Sequence, residues 1–168
     1  MTGHATASRR ATAARYDDPR ITAVGLLMET VGGLNARLAA QYAEHDLSAV
    51  EFEVLLRLAR SPEQQLRMTD LATQTMLTTS GITRVIDRLE RDGLVERSAC
   101  PTDRRGSNAT ITEAGIERLD AVLPGHLDLL EKWFTGQLDK GQLAGLLEGL
   151  RIIRDAVRPG ATAGANSA

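Results

Sequence analysis

The fold class this 168-residue chain predicts is mainly α with a small β-hairpin wing: a winged helix-turn-helix flanked by N- and C-terminal dimerisation helices. Three observations predict it. Between Thr78 and Thr112 a short amphipathic helix runs into two brief strand-like segments joined by the charged tip Pro101-Thr102-Asp103-Arg104-Arg105-Gly106. Just upstream, Met68 to Met76 reads as a second short helix, separated from the first only by the turn at Leu77-Thr78. On both sides lie longer segments with apolar residues at helical spacing.

Taken along the chain, residues 1–18 mix Ala, Thr, Ser and Arg with little apolar content and read as a disordered tail, whose Arg9, Arg10 and Arg15 could add nonspecific phosphate contacts. Residues 19–46 form a dimerisation helix, with Ile21, Val24, Met28, Val31, Leu34 and Leu38 on one stripe. A winged helix-turn-helix domain spans 47–112. Ser48 with Glu51 is a capping-box signature that opens a helix through Phe52, Leu55 and Leu58. In the Met68 to Met76 helix, Thr69 and Asp70 suit the first turn, and Leu71, Ala72 and Met76 make the inner face. Thr78 or Thr79 can cap the next helix, and Gly93 ends it by taking a left-handed conformation cheaply. Leu94 to Ser98 and Ser107 to Ile111 are the hairpin strands. Residues 113–158 supply further dimerisation helices: Thr112 caps the first, which Pro124 is expected to bend, and Asp139 with Gln142 caps the second. Residues 159–168 are a small-residue tail expected to be disordered.

The helix after the tight turn has the more telling chemistry. Ile82, Val85, Ile86 and Leu89 fall at i, i+3, i+4, i+7 and must pack inward. At about 100° per residue, Ser80, Arg84, Asp87 and Arg91 then project from the opposite side, with Thr83 on the flank and Thr79 at the start. Short hydroxyls near a helix N-terminus and arginines further along suit base edges and phosphates. The formal net charge is only −2, so phosphate binding has to come from local arginine. Asp87, Glu90, Asp92, Glu96 and Asp103 are interleaved with Arg84, Arg88, Arg91, Arg97, Arg104 and Arg105, and geometry must separate the two sets.

The segments Leu66 to Ala72, Ser80 to Leu89, Gly93 to Arg97, Asp103-Arg104-Arg105 and Ile111 to Gly115, occurring in this order, resemble the MarR family of bacterial transcriptional regulators over roughly residues 20 to 157. The resemblance implies a homodimer of winged-helix subunits that binds double-stranded DNA at a pseudo-palindromic, inverted-repeat operator and often releases it when a small-molecule effector or an oxidant is sensed. It also maps the family's wing-tip Asp-x-Arg onto Asp103 and Arg105, with the arginine in the minor groove and the aspartate orienting it. A two-fold dimer places two recognition helices about one DNA turn apart, roughly 34–36 Å.

Other classes are weakly supported. No G-x-G-x-x-G, P-loop, G-x-S-x-G or H-E-x-x-H pattern occurs, so an enzyme is not expected and no cofactor is implied. His45 and His126 with Glu44 or Glu51 lack metal-ligand spacing, so no metal is assigned. Cys100 stands alone beside the wing, and a lone thiol there is more often a packing residue than a redox sensor. No apolar run is long enough to span a bilayer and no signal core is seen, which points to the cytoplasm, associated with the nucleoid, and to no membrane partner. Asn35, Tyr42, His45 and Arg57 are candidates for an effector pocket between the dimer helices and the winged helix, or equally for ordinary interface polar groups. A winged helix could instead dock a protein, with Arg84 and Arg105 gripping an acidic partner. Salt-sensitive, sequence-selective binding of duplex DNA distinguishes the two.

Overall fold

The computed structural model describes residues 16–100 and 103–162, with the side chains of 100–105 excepted. The elements run α1 (Pro19–Ala43), α2 (Ala49–Ala59), a 3-10 turn (Pro62–Gln64), β1 (Gln65–Arg67), α3 (Met68–Thr75), α4 (Thr79–Arg91), β2 (Val95–Cys100), β3 (Asp103–Ile111), α5 (Glu113–Trp133), a 3-10 turn (Thr135–Gln137) and α6 (Lys140–Val157). They fall into two compact units, one ending at Arg37 within α1 and one beginning at Leu38.

The first unit is the greater part of α1. Asp18 opens it: its carboxylate accepts the Arg20 backbone N–H at 2.8 Å while Pro19 takes the first helical position, where no donor is needed. The residue expected to close a disordered tail is thus a helix cap. Ile21, Val24, Leu26, Met28 and Val31 are exposed along this unit.

The second unit holds the core. Tyr42, Leu47, Phe52, Val54, Leu55 and Leu58 from α1 and α2 pack with Leu71 of α3, the inner stripe of α4, Val95 and Ala109 of the sheet, and Leu119 and Val122 of α5. The Ser48–Glu51 and Asp139–Gln142 capping boxes both form, and Thr112 caps α5 by accepting the Gly115 N–H. Helix α5 continues through Pro124 without interruption.

Three findings depart from the sequence expectation. The β2–β3 hairpin forms as expected but carries a third antiparallel strand, in the order β1-β3-β2, because Leu66 sinks into the core and Gln65 to Arg67 pair with Thr110 to Asn108. Its strands are also longer than expected, reaching Cys100 and starting at Asp103, with an irregularity between Ala99 and Cys100. Residues 159–162, expected to be part of a disordered tail, form turns instead: Ala161 is buried, and the neighbouring Arg158 donates to the Thr73 and Gln74 carbonyls at 2.9 and 3.0 Å.

Two features generate expectations about stability. Gly115 is packed so closely that a Cβ there would collide with the Leu94 carbonyl oxygen and the Ile111 side chain. Gly115→Ala should therefore destabilise the fold by about 1–3 kcal/mol despite alanine's better helix propensity. An unchanged urea midpoint would refute that packing argument. His126 lies in an aromatic cluster, its ring 4.8 Å from Phe52, with the Tyr42 hydroxyl 2.9 Å from Nδ1. Burial holds its imidazole below the ordinary histidine range. Burial first, and the negative charge of Glu53 second, push the Tyr42 hydroxyl up to about 12. Because the unfolded His126 binds its proton more readily than the folded one, stability should fall as pH drops from about 7 through the ordinary histidine value near 6.5 toward the depressed folded value. Denaturation midpoints in this range should depend less on pH in His126→Gln than in the parent; parallel profiles would locate the dependence elsewhere.

Candidate nucleic-acid interface

The turn between α3 and α4 is short and closed by backbone and capping hydrogen bonds. Met76 takes the left-handed conformation (φ 57°, ψ 26°), the Leu77 N–H returns to the Ala72 carbonyl at 3.0 Å, and Thr78 caps α4 by accepting the Gly81 N–H at 3.1 Å. Ile82, Val85, Ile86 and Leu89 are buried against the core, which fixes the rotation of α4 about its axis. Thr79, Ser80, Thr83, Arg84, Asp87 and Arg91 are consequently all exposed on the other side. The Thr83 hydroxyl donates to the Thr79 carbonyl at 2.8 Å, which leaves its oxygen as an acceptor, and the Ser80 and Thr78 hydroxyls lie 3.1 Å apart.

The interleaved charges separate on folding. Arg97 of β2 reaches under α4 and donates to Asp87 at 2.6 Å, to Glu90 at 3.2 Å and to the Thr83 carbonyl at 3.1 Å. Arg88 is drawn away toward α2, donating to Glu51 at 2.8 Å. Burial alone would raise the Glu51 carboxyl, but hydrogen bonds from Ser48 and the Arg88 cation outweigh it, and the group is held below its usual range. Arg84 and Arg91 have no hydrogen-bond or ion-pair partner among the described residues, so their guanidinium groups remain available at the outer face. Asp87, expected among the contact residues, is engaged with Arg97. The clamping role of Arg97 was not recognised in the sequence.

The other candidate sites are not drawn into one place. The backbone of Asp103 pairs with Cys100 in the β2–β3 ladder. The side chains of Asp103, Arg104 and Arg105, like that of Cys100, lie outside the described residues. Among the proposed pocket residues, Asn35 is exposed on the first unit, and Tyr42 is sealed inside the core, stacked on Phe52 at 4.3 Å. His45 is half-buried and its carbonyl accepts from Arg118 at 2.9 Å. Arg57 lines a cavity, donating to Glu53 at 2.7 Å and to Gln74 at 3.1 Å. Among the described residues, no group of His, Cys, Asp or Glu is arranged to hold a metal ion, and no helix is long and apolar enough to cross a membrane.

A sequence model of the MarR family matches residues 47–107, the segment from just before α2 into the middle of β3. The chain is similar to the HTH-type transcriptional regulator MhqR of Bacillus subtilis, with 35% identity over 101 residues, 60% of this chain and 68% of that one. The fold is similar to that of AbsC, a MarR family transcriptional regulator from Streptomyces coelicolor, with a TM-score of 0.76 and 32% identity over 82% of this chain and 93% of that one. The chain belongs to the MarR family. Members of the MarR family are DNA-binding transcriptional regulators, not enzymes. A second MarR family regulator from Streptomyces coelicolor, solved in complex with DNA, has a TM-score of 0.76 and 32% identity over 85% of this chain and 94% of that one.

The Arg97 clamp makes a test. Arg97→Met should leave the fold intact but release the Asp87 and Glu90 carboxylates toward approaching phosphates, weakening DNA binding about tenfold at low salt. Adding Asp87→Asn and Glu90→Gln should recover most of the loss in fluorescence anisotropy titrations. If the triple variant is no better than Arg97→Met, the clamp acts by something other than charge neutralisation.

Proposed function

We propose that this regulator is a homodimeric repressor that reads an inverted-repeat operator with the outer face of α4 and is released from it by a small-molecule effector. The observation that carries this reading is the exposed face of α4, where Arg84 and Arg91 stay available while Arg97 neutralises the neighbouring carboxylates. Thr79, Ser80, Thr83 and Arg84 reach base edges in the major groove, Arg91 meets phosphate, and the wing brings Asp103, Arg104 and Arg105 to the backbone and minor groove.

Dimerisation is supported by α6, none of whose residues is buried although it carries Leu146, Leu147, Ile152, Ile153 and Val157. An 18-residue helix with so much exposed apolar surface is poorly stable alone. A second copy of the chain covers it, with residues 19–46 and 113–158 as the dimerisation segments and 47–112 as the DNA-reading domain. The regulator works in the cytoplasm, on the nucleoid.

Anisotropy titrations with a duplex selected from genomic fragments and with a random duplex provide the test. The parent chain should prefer the selected duplex, bind as two chains per site and weaken steeply with salt. Arg84→Ala should cost about 1–3 kcal/mol on the selected duplex and much less on the random one. An equal loss on both would assign Arg84 to phosphate alone, and one chain per site would defeat the dimeric reading.

A further inference from the structure

We infer that the cavity between α2, the end of α3 and the end of α6 is a binding site for a small organic anion bearing at least two negative charges. This inference rests on the regulator reading above and names the chemistry of its effector. The cavity has a volume of about 580 Å³, and its wall includes Glu53, Arg57, Arg60, Gln74, Arg154 and Arg158. That volume is within the ordinary range of small-molecule sites and well beyond what one inorganic ion fills.

Charge selects the occupant. Four arginines line one cavity, and among the described residues their acidic partners are Glu53, which pairs with Arg57, and Asp155, which pairs with Arg154. Two positive charges are left over in a chain whose overall charge is −2. Like charges gathered around one space repel one another until an anion joins them, and guanidinium forks match carboxylate and phosphate oxygens. Arg57 and Arg158 are pre-positioned, the first by Glu53 and Gln74, the second by the carbonyls of Thr73 and Gln74. Arg60 is exposed and has no side-chain partner among the described residues, so it is available to the ligand.

The position links the site to the DNA-reading unit. Thr73 and Gln74 are in the last turn of α3, directly before the Met76–Thr78 turn that sets α4, while Arg154 and Arg158 belong to the end of α6. An anion gripped by both ends ties the helix carrying the exposed apolar face to the helix that supports recognition. Occupancy then changes the setting of α4 relative to α6.

The test uses the full chain with citrate and inorganic pyrophosphate as probes, acetate as the singly charged control, and constant ionic strength. Calorimetric titration and thermal melting should give saturable binding and a raised Tm for the two probes but not for acetate. Arg60→Gln and Arg154→Gln, neither of which removes a core contact, should each bind the probes about tenfold more weakly or worse. Probes that behave like acetate, or variants that bind as the parent does, overturn the site. Operator affinity is then measured with and without citrate, and a several-fold change is expected. Saturable binding that leaves operator affinity unchanged overturns the regulatory role. A chain that binds no operator in citrate-free buffer defeats the regulator reading itself, and the calorimetric result stands independently.

Discussion

The burial of Ile82, Val85, Ile86 and Leu89 is the constraint on which the exposed polar face of α4 depends. Fully burying an aliphatic side chain is worth about 1.5–3 kcal/mol, so rotating α4 to expose this stripe would cost as much as a small domain's net stability. That penalty decides which residues face outward. Thr79, Ser80, Thr83, Arg84 and Arg91 are at the surface because the opposite side of the helix has nowhere else to go. The polar face is thus set by its apolar complement, and the capped turn at Met76–Thr78 sets where the face begins.

Electrostatics refines what packing establishes. In a chain whose net charge is −2, several acidic residues beside α4 are paired internally. Arg97 holds Asp87 and Glu90, and Glu51 withdraws Arg88. Each of these partly exposed pairs contributes little to stability, at most about 1 kcal/mol. Their value lies in which charges they leave unpaired. The same logic operates at the cavity on α2, where Glu53 offsets one guanidinium and the others remain in excess.

What was legible in the sequence follows from how local each signal is. The periodicity of α4, the Ser48–Glu51 and Asp139–Gln142 boxes and the Thr112 cap lie within a few consecutive residues, and each formed as read. Strand β1 was not legible: three residues cannot display an alternation, and Leu66 becomes a strand residue only when Ala109, far along the chain, arrives beside it. Arg97 could be placed near the surface, but its pairing with Asp87 and Glu90 depends on how the sheet docks under the helix. Tyr42 was a candidate for a pocket, or equally for an interface polar group, because of its place between the expected dimer helix and the winged helix. The stacking with Phe52 that seals it involves a residue on the next helix. The arginine-lined cavity was the least accessible of all, since Arg57 and Arg60 meet Arg154 and Arg158 only after the intervening domain has folded.

Glu51 serves two masters. Its carboxylate closes the N-terminal box of α2 through the Ser48 backbone and hydroxyl, and it also anchors Arg88 near the far end of α4. The first turn of α2 and the last turns of α4 are therefore joined through one functional group. A disturbance at the opening of α2 would therefore bear also on the C-terminal half of α4, across the Glu51–Arg88 contact.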